Sequence, residues 1–177
     1  MGRWGSNTHN LLEQTAMELY LEHGFTQTTV AQIAERAGLT ERTFFRHFAD
    51  KREVLFGGSS LLQEIIIGVI ETAPKTASPI NAVTAGLEDA GKWFQTNPER
   101  SRKRQTIIDS NPELQARELS KLATLASAIA DALRKRGVAD PMASLTAEVG
   151  IVVFRTAFER LIHETNQIGR ASCRERV

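Results

Sequence analysis

Residues 28–52 read TTVAQIAERAGLTERTFFRHFADKR, two short helical patterns joined at Ala37-Gly38-Leu39. Ile33, Ala34 and Ala37 recur at three- and four-residue spacing, and Phe44 and Phe48 do the same beyond the turn. Each segment therefore carries one apolar face, and the two faces can close on each other. Thr29-Val30-Ala31-Gln32 fits a capping box, in which the Thr29 hydroxyl accepts a first-turn amide and Gln32 reaches back. Thr40 is placed to cap the second segment. Gly38 stands where the backbone must leave one helix and bend into the next, a bend that commonly needs positive φ. This is the layout of a helix-turn-helix, a motif whose second helix enters the DNA major groove.

The 177-residue chain suits one or two domains, with the 41% apolar and 24% charged composition of an ordinary soluble protein. Its net charge is +1, so global charge does not point to a polyanion binder. Nor does the segment through Phe56, where Arg3, Arg36, Arg42, Arg46, Lys51 and Arg52 face Glu13, Glu18, Glu22, Glu35, Glu41, Asp50 and Glu53. Any DNA affinity must come from local placement, and Arg42, Arg46, His47, Lys51 and Arg52 fall close enough together to supply it. Cys173 is the only cysteine, which excludes an intrachain disulfide and a cysteine-based metal site and fits a reducing cytoplasm. The first ten residues hold no signal-peptide core, and the apolar run at residues 65–70 is too short to span a bilayer, so no membrane partner is expected. Enzyme readings find no Gly-rich phosphate loop and no nucleophile elbow. The histidines His9, His23, His47 and His163 form no i, i+4 pair for a metal, and no cofactor is implied.

Working outward, Leu11, Leu12, Thr15, Ala16, Leu19 and Tyr20 trace a first helix that ends at Gly24, preceded by a short flexible basic arm at residues 2–6. Asp50-Lys51-Arg52-Glu53 resembles another capping box and predicts a long fourth helix to about Ala73, weakened by Gly57-Gly58. Four cap-proline signals then follow at Ser78-Pro79, Asn97-Pro98, Asn111-Pro112 and Asp140-Pro141, because proline at a first helical position leaves no amide unpaired. They predict helices over 79–96, 98–109, 112–136 and 141–166. The chain reads as all-α, with a three-helix helix-turn-helix domain at residues 1–50 and a C-terminal helical bundle at 51–167.

The run Thr29-Val30, Ile33-Ala34, Ala37-Gly38-Leu39-Thr40, Thr43-Phe44-Phe45-Arg46-His47-Phe48 and Asp50-Lys51 resembles the tetracycline-repressor (TetR-type) family of transcriptional regulators, over about residues 8–56. The resemblance implies a homodimer on an operator of double-stranded DNA, with the bundle serving dimerisation and binding of a small-molecule inducer. It puts Glu41, Arg42 and Thr43 where the family contacts bases, and Thr29, Phe45, His47 and Lys51 where it touches phosphate, with Thr40 at the helix start. Phe45 departs from the tyrosine the family commonly has there and cannot donate a hydrogen bond.

In the bundle, Trp93, Phe94, Phe154 and Phe158 could line an apolar ligand pocket or pack as core. The basic run at residues 100–104 reads as a solvated face. Residues 149–162 are apolar on more than one face, which points to cover by a partner chain. The family usually places one more helix after this one. Residues 168–177 instead resemble the in-frame translation of a sequencing adapter, and are read as a non-native tail outside the fold. The expectation is a cytoplasmic, ligand-responsive repressor acting as a dimer on a palindromic operator. The alternative is a helical protein-interaction or adaptor module without sequence-specific DNA binding, motivated by the acidic balance of the first 56 residues and by Phe45.

Overall fold

A computed structural model describes the backbone of residues 3–174 and the side chains of residues 7–162. The fold is all-α, with no strand among the described residues. The elements are α1 (Arg3–His23), α2 (Val30–Arg36), α3 (Glu41–His47), a 3-10 turn (Glu53–Phe56), α4 (Ser59–Thr72), α5 (Pro79–Gln95), α6 (Pro98–Asp109), α7 (Pro112–Lys135) and α8 (Met142–Arg174). The prolines at 79, 98 and 112 each open a helix as their caps predict, with the Ser78 hydroxyl accepting from the Asn81 amide and the Asn97 side-chain Oδ1 accepting from the Arg100 amide.

Three boundaries differ from the sequence reading. The backbone is helical from Arg3, so the expected flexible arm is the first turn of α1, where one glycine near a helix start costs only about 1 kcal/mol. The expected long fourth helix is broken at Gly57-Gly58 into the 3-10 turn and α4. Only half of the second capping box forms: Asp50 Oδ1 accepts from the amides of Arg52 (2.7 Å) and Glu53 (3.2 Å), while the Glu53 carboxylate turns away to Arg117. Finally, Pro141 precedes α8, which starts at Met142, and the Asp140 carboxylate accepts from the Ser144 hydroxyl at 2.9 Å. The backbone of α8 runs through residues read as tail, whose side chains lie outside the described residues.

The chain divides into two compact units. One joins Met1–Ser59 with Lys103–Glu118, and the other joins Ser60–Arg102 with the chain from Leu119 onward. The first unit therefore extends past residue 50 and recruits parts of α6 and α7. Its core gathers Leu12, Ala16, Tyr20, Phe25, Ile33, Phe44, Phe48, Phe56, Ile108 and Leu114. The second unit packs Ile66, Ile70, Val83, Ile129 and Leu133 among small residues, including Ala90, Ala126, Ala130, Ala143 and Ala147. The segment Glu53–Thr72 is long and apolar enough, at mean hydropathy 1.5, to cross a membrane by length and composition. Its Val54, Leu55 and Phe56 belong to the first core, and its Ile66 and Ile70 to the second.

Candidate nucleic-acid interface

The recognition helix is set by backbone and cap chemistry close in sequence. Thr29 caps α2: its Oγ1 accepts from the Gln32 amide at 3.2 Å, and Gln32 Oε1 accepts from the Thr29 amide at 2.8 Å, completing the box. At the other end of α2 the Leu39 amide reaches the Ala34 carbonyl (2.8 Å) and the Gly38 amide that of Glu35 (3.0 Å), the paired bonds that close a helix through a left-handed residue. Gly38 takes that conformation at φ 68°, where any side chain would be strained. Thr40 then caps α3 by accepting from the Thr43 amide at 3.2 Å, with the two hydroxyls 3.0 Å apart. Phe44, fully buried, anchors α3 to the core against Phe48.

This anchoring turns Glu41, Arg42, Phe45 and Arg46 outward, with Thr43 half-buried beside its cap. Phe45 is 54% exposed and touches the Phe44 ring edge-on. Arg42 and Arg46 have no ion-pair partner among the described residues.

Two residues expected at phosphate, Lys51 and His47, have their side chains directed into the unit. Lys51 Nζ donates to the carbonyls of Phe25 (2.9 Å), Thr28 (2.8 Å) and Thr26 (3.3 Å), using all three ammonium hydrogens, and stands 4.5 Å over the Phe25 ring. Burial pushes its pKa below the usual lysine range. The Tyr20 hydroxyl donates to the Lys51 carbonyl at 2.6 Å, so Lys51 staples the α1–α2 turn from both its backbone and its side chain. His47 is half-buried with Nε2 shielded from solvent and without a hydrogen-bond partner among the described residues. Burial, then Arg46 and His9, hold its pKa below the ordinary histidine value.

Sequence reasoning also missed a set of ion pairs within the first unit. Arg52 grips Asp50 (2.6 Å) and Glu113 (2.9 Å), Arg117 grips Glu53 (2.6 Å), and Arg36 holds Glu22 through two bonds. Arg104 leaves the expected solvated face to donate to the Leu55 carbonyl (2.7 Å) and Glu118 (3.0 Å), with its guanidinium over the Phe56 ring. The only signal was its place in a basic run, which does not distinguish it from Arg100 or Arg102.

In the second unit a cavity of about 560 Å³ lies between α5 and α8. Phe94, Phe154 and Phe158 line it, with Leu87, Val152 and Leu161, while Trp93 stands outside the lining and packs edge-on to Phe94 at 4.8 Å. The structure thus brings together three of the four aromatic residues named for a pocket.

The chain also matches known proteins. Residues 13–56 match the family profile of bacterial regulatory proteins, tetR family, and residues 77–169 match that of the MftR C-terminal domain. MftR of Mycobacterium tuberculosis, named as a regulator of mycofactocin biosynthesis, is 29% identical over 167 residues, covering 93% of this chain and 84% of that protein. The HTH-type transcriptional regulator TcmR of Streptomyces glaucescens is 40% identical over 80 residues, 45% of this chain and 35% of that one. The solved SmeT–triclosan complex shares the fold at TM-score 0.64 and 19% identity, covering 91% of this chain and 83% of that one. Native NalD of Pseudomonas aeruginosa does so at 0.61 and 16%, covering 92% and 88%. With its capped, outward-facing recognition helix inside one matched segment and more than half of its length inside the other, the chain belongs to the TetR family of bacterial regulatory proteins, which are DNA-binding transcriptional regulators and not enzymes.

Proposed function

We propose that the chain is a homodimeric, cytoplasmic repressor that binds a palindromic operator and is released from it by a small apolar ligand. The observation that carries this reading is the exposed face of α3, where Glu41 and Arg42 project in the first turn while Lys51 is bonded to backbone carbonyls and Arg52 is engaged by Asp50 and Glu113. Arg42 is the base reader in this reading, through a bidentate contact to guanine, with Glu41 and Thr43 beside it at the bases, and Thr29 and Thr40 offer hydroxyls to phosphate at the two helix starts. Seven residues of recognition helix read few base pairs, which favours two copies on half-sites about one helical turn or a multiple apart. Leu145, Val149, Val152 and Val153 supply a surface for that pairing, each 49–62% exposed and aligned along α8. The cavity at Phe94, Phe154 and Phe158 is the proposed ligand site.

The test is a fluorescence-anisotropy titration with a labelled duplex enriched from a random-sequence pool by the full chain. The wild type is expected to bind that duplex in a salt-sensitive way, and Arg42→Ala to lose about 1–3 kcal/mol of discrimination at one base pair without a change in melting temperature. Equal affinity for enriched and random duplexes, or base preference indifferent to Arg42→Ala, would leave the adaptor reading in its place. Screening apolar compounds by thermal shift and then adding the hits to the complex tests release.

A further inference from the structure

Where α1, the end of α3 and the Gly57 backbone meet, two imidazoles face each other. The rings of His9 and His47 are 6.1 Å apart and edge-on, and His9 lies 4.5 Å from the Phe48 ring. The position of a Cβ built on Gly57 is 3.4 Å from His9 Cε1, so Gly57 closes the seam without a side chain. His47 Nε2 is shielded from solvent and unpartnered among the described residues. His47 is also the last residue of the recognition helix, one position from the exposed Arg46. The charges that act on the His47 ring are Arg46 beside it on α3 and His9 on α1; elsewhere on the packed elements, Glu13 follows His9 by one turn, Glu41 and Arg42 lie exposed in the first turn of α3, and Glu53 of the 3-10 turn is tied to Arg117.

Burial of Nε2 without a partner favours the neutral form of this imidazole. A proton on His47 would place a cation against a second imidazole and next to a guanidinium, with a buried N–H lacking an acceptor. Turned outward, the same imidazolium presents two donors at the end of the recognition helix, where a phosphate would satisfy both its charge and its N–H.

We propose that the His9–His47 contact is a proton-linked latch on the recognition helix: neutral, it keeps His47 turned inward, and DNA binding draws His47 out as an imidazolium, so that binding takes up one proton from solvent. The proposal rests on the DNA-binding reading above. It makes affinity for DNA rise as pH falls through the histidine range, because the bound state holds a proton that the free state does not.

The experiment measures affinity for the enriched duplex at constant ionic strength from about pH 5.5 to 8, the range in which a histidine near its ordinary pKa titrates. For the wild type the expected slope approaches tenfold tighter binding per pH unit of acidification, the signature of one proton taken up. His47→Gln should bind with that component of the slope gone. His9→Gln, which puts an amide oxygen able to accept from the imidazolium in place of the second ring, should keep the slope and move its midpoint to higher pH. Circular-dichroism melts of both variants confirm that each is folded before its slope is read. Equal slopes in the wild type and His47→Gln overturn the latch while leaving DNA binding intact. Failure of the pool to yield any preferred duplex overturns the DNA-binding reading, and the latch with it. A third measurement needs no DNA: in the free protein, the His47 ring followed by NMR should titrate below the ordinary histidine value, and titration at or above that value overturns the latch.

Discussion

The two compact units treat apolar surface in opposite ways. The unit that carries the recognition helix buries large aromatics, Phe25, Phe44, Phe48 and Phe56, and surrounds them with side chains bonded to backbone carbonyls, among them Lys51, Tyr20 and Arg104. The bundle unit is built from alanine and glycine at close helix contacts. A Cβ at Gly86 would lie 3.0 Å from the Ile66 carbonyl oxygen, and one at Gly150 would lie 2.7 Å from Val83. That unit leaves an apolar stripe on α8 and an aromatic-lined cavity open. On the function proposed above, the segment that presents a few side chains at fixed positions is tied down internally, and the one that would accept apolar partners keeps apolar surface available.

The contrast can be broken at its strongest point first. Phe44→Ala removes the fully buried ring that anchors α3 and should cost about 3–5 kcal/mol, read as a lowered midpoint in a urea melt followed by far-UV circular dichroism. Val152→Glu puts a charge into the proposed pairing surface of α8. The expected outcome is a shift from dimer to monomer in analytical ultracentrifugation, since an unpaired charge in a closed interface costs several kcal/mol. An unchanged sedimentation coefficient would mean that this stripe faces water. Lys51→Met keeps the stem over Phe25 and removes the three bonds to carbonyls, with an expected loss of about 2 kcal/mol and a melting temperature lower by about 4–8 °C. The same variant separates staple from phosphate contact: its salt dependence of DNA binding should match the wild type, whereas loss of a phosphate contact would reduce the slope by about one.

The smallest effect concerns acid. Hydrogen bonds from Arg52 hold the Asp50 carboxyl below its usual pKa. The unfolded chain therefore takes up this proton first, so the clasp contributes fully above about pH 4 and its contribution is lost as pH falls through the folded value. The pair is well exposed, which limits the contribution to a few tenths of a kcal/mol, and Asp50→Asn should flatten that part of a stability–pH profile.

Much of this organisation was legible without coordinates. The Thr29 and Thr40 caps, the left-handed Gly38 and the proline starts at 79, 98 and 112 were all readable, and so was a recognition helix beginning at Glu41. What was not legible was the use to which each cation is put. From sequence, Arg42, Arg46, His47, Lys51 and Arg52 look alike, five basic residues beside a turn. In the structure only the two arginines of α3 face out freely, while Lys51 reaches carbonyls 23 to 26 residues earlier and Arg52 reaches Glu113, 61 residues later. Arg104, in a run read as solvated, closes on Leu55 and Glu118.

The sequence by itself determined the helices, their caps and the sharp turn, because those interactions join residues no more than about five apart and depend on residue type and spacing alone. Only the tertiary structure decided that residues 103–118 pack with the helix-turn-helix, which basic side chains stay outside, and that His47 meets His9. Those outcomes depend on which distant segments packing brings within hydrogen-bond or van der Waals reach, and no local pattern encodes that distance.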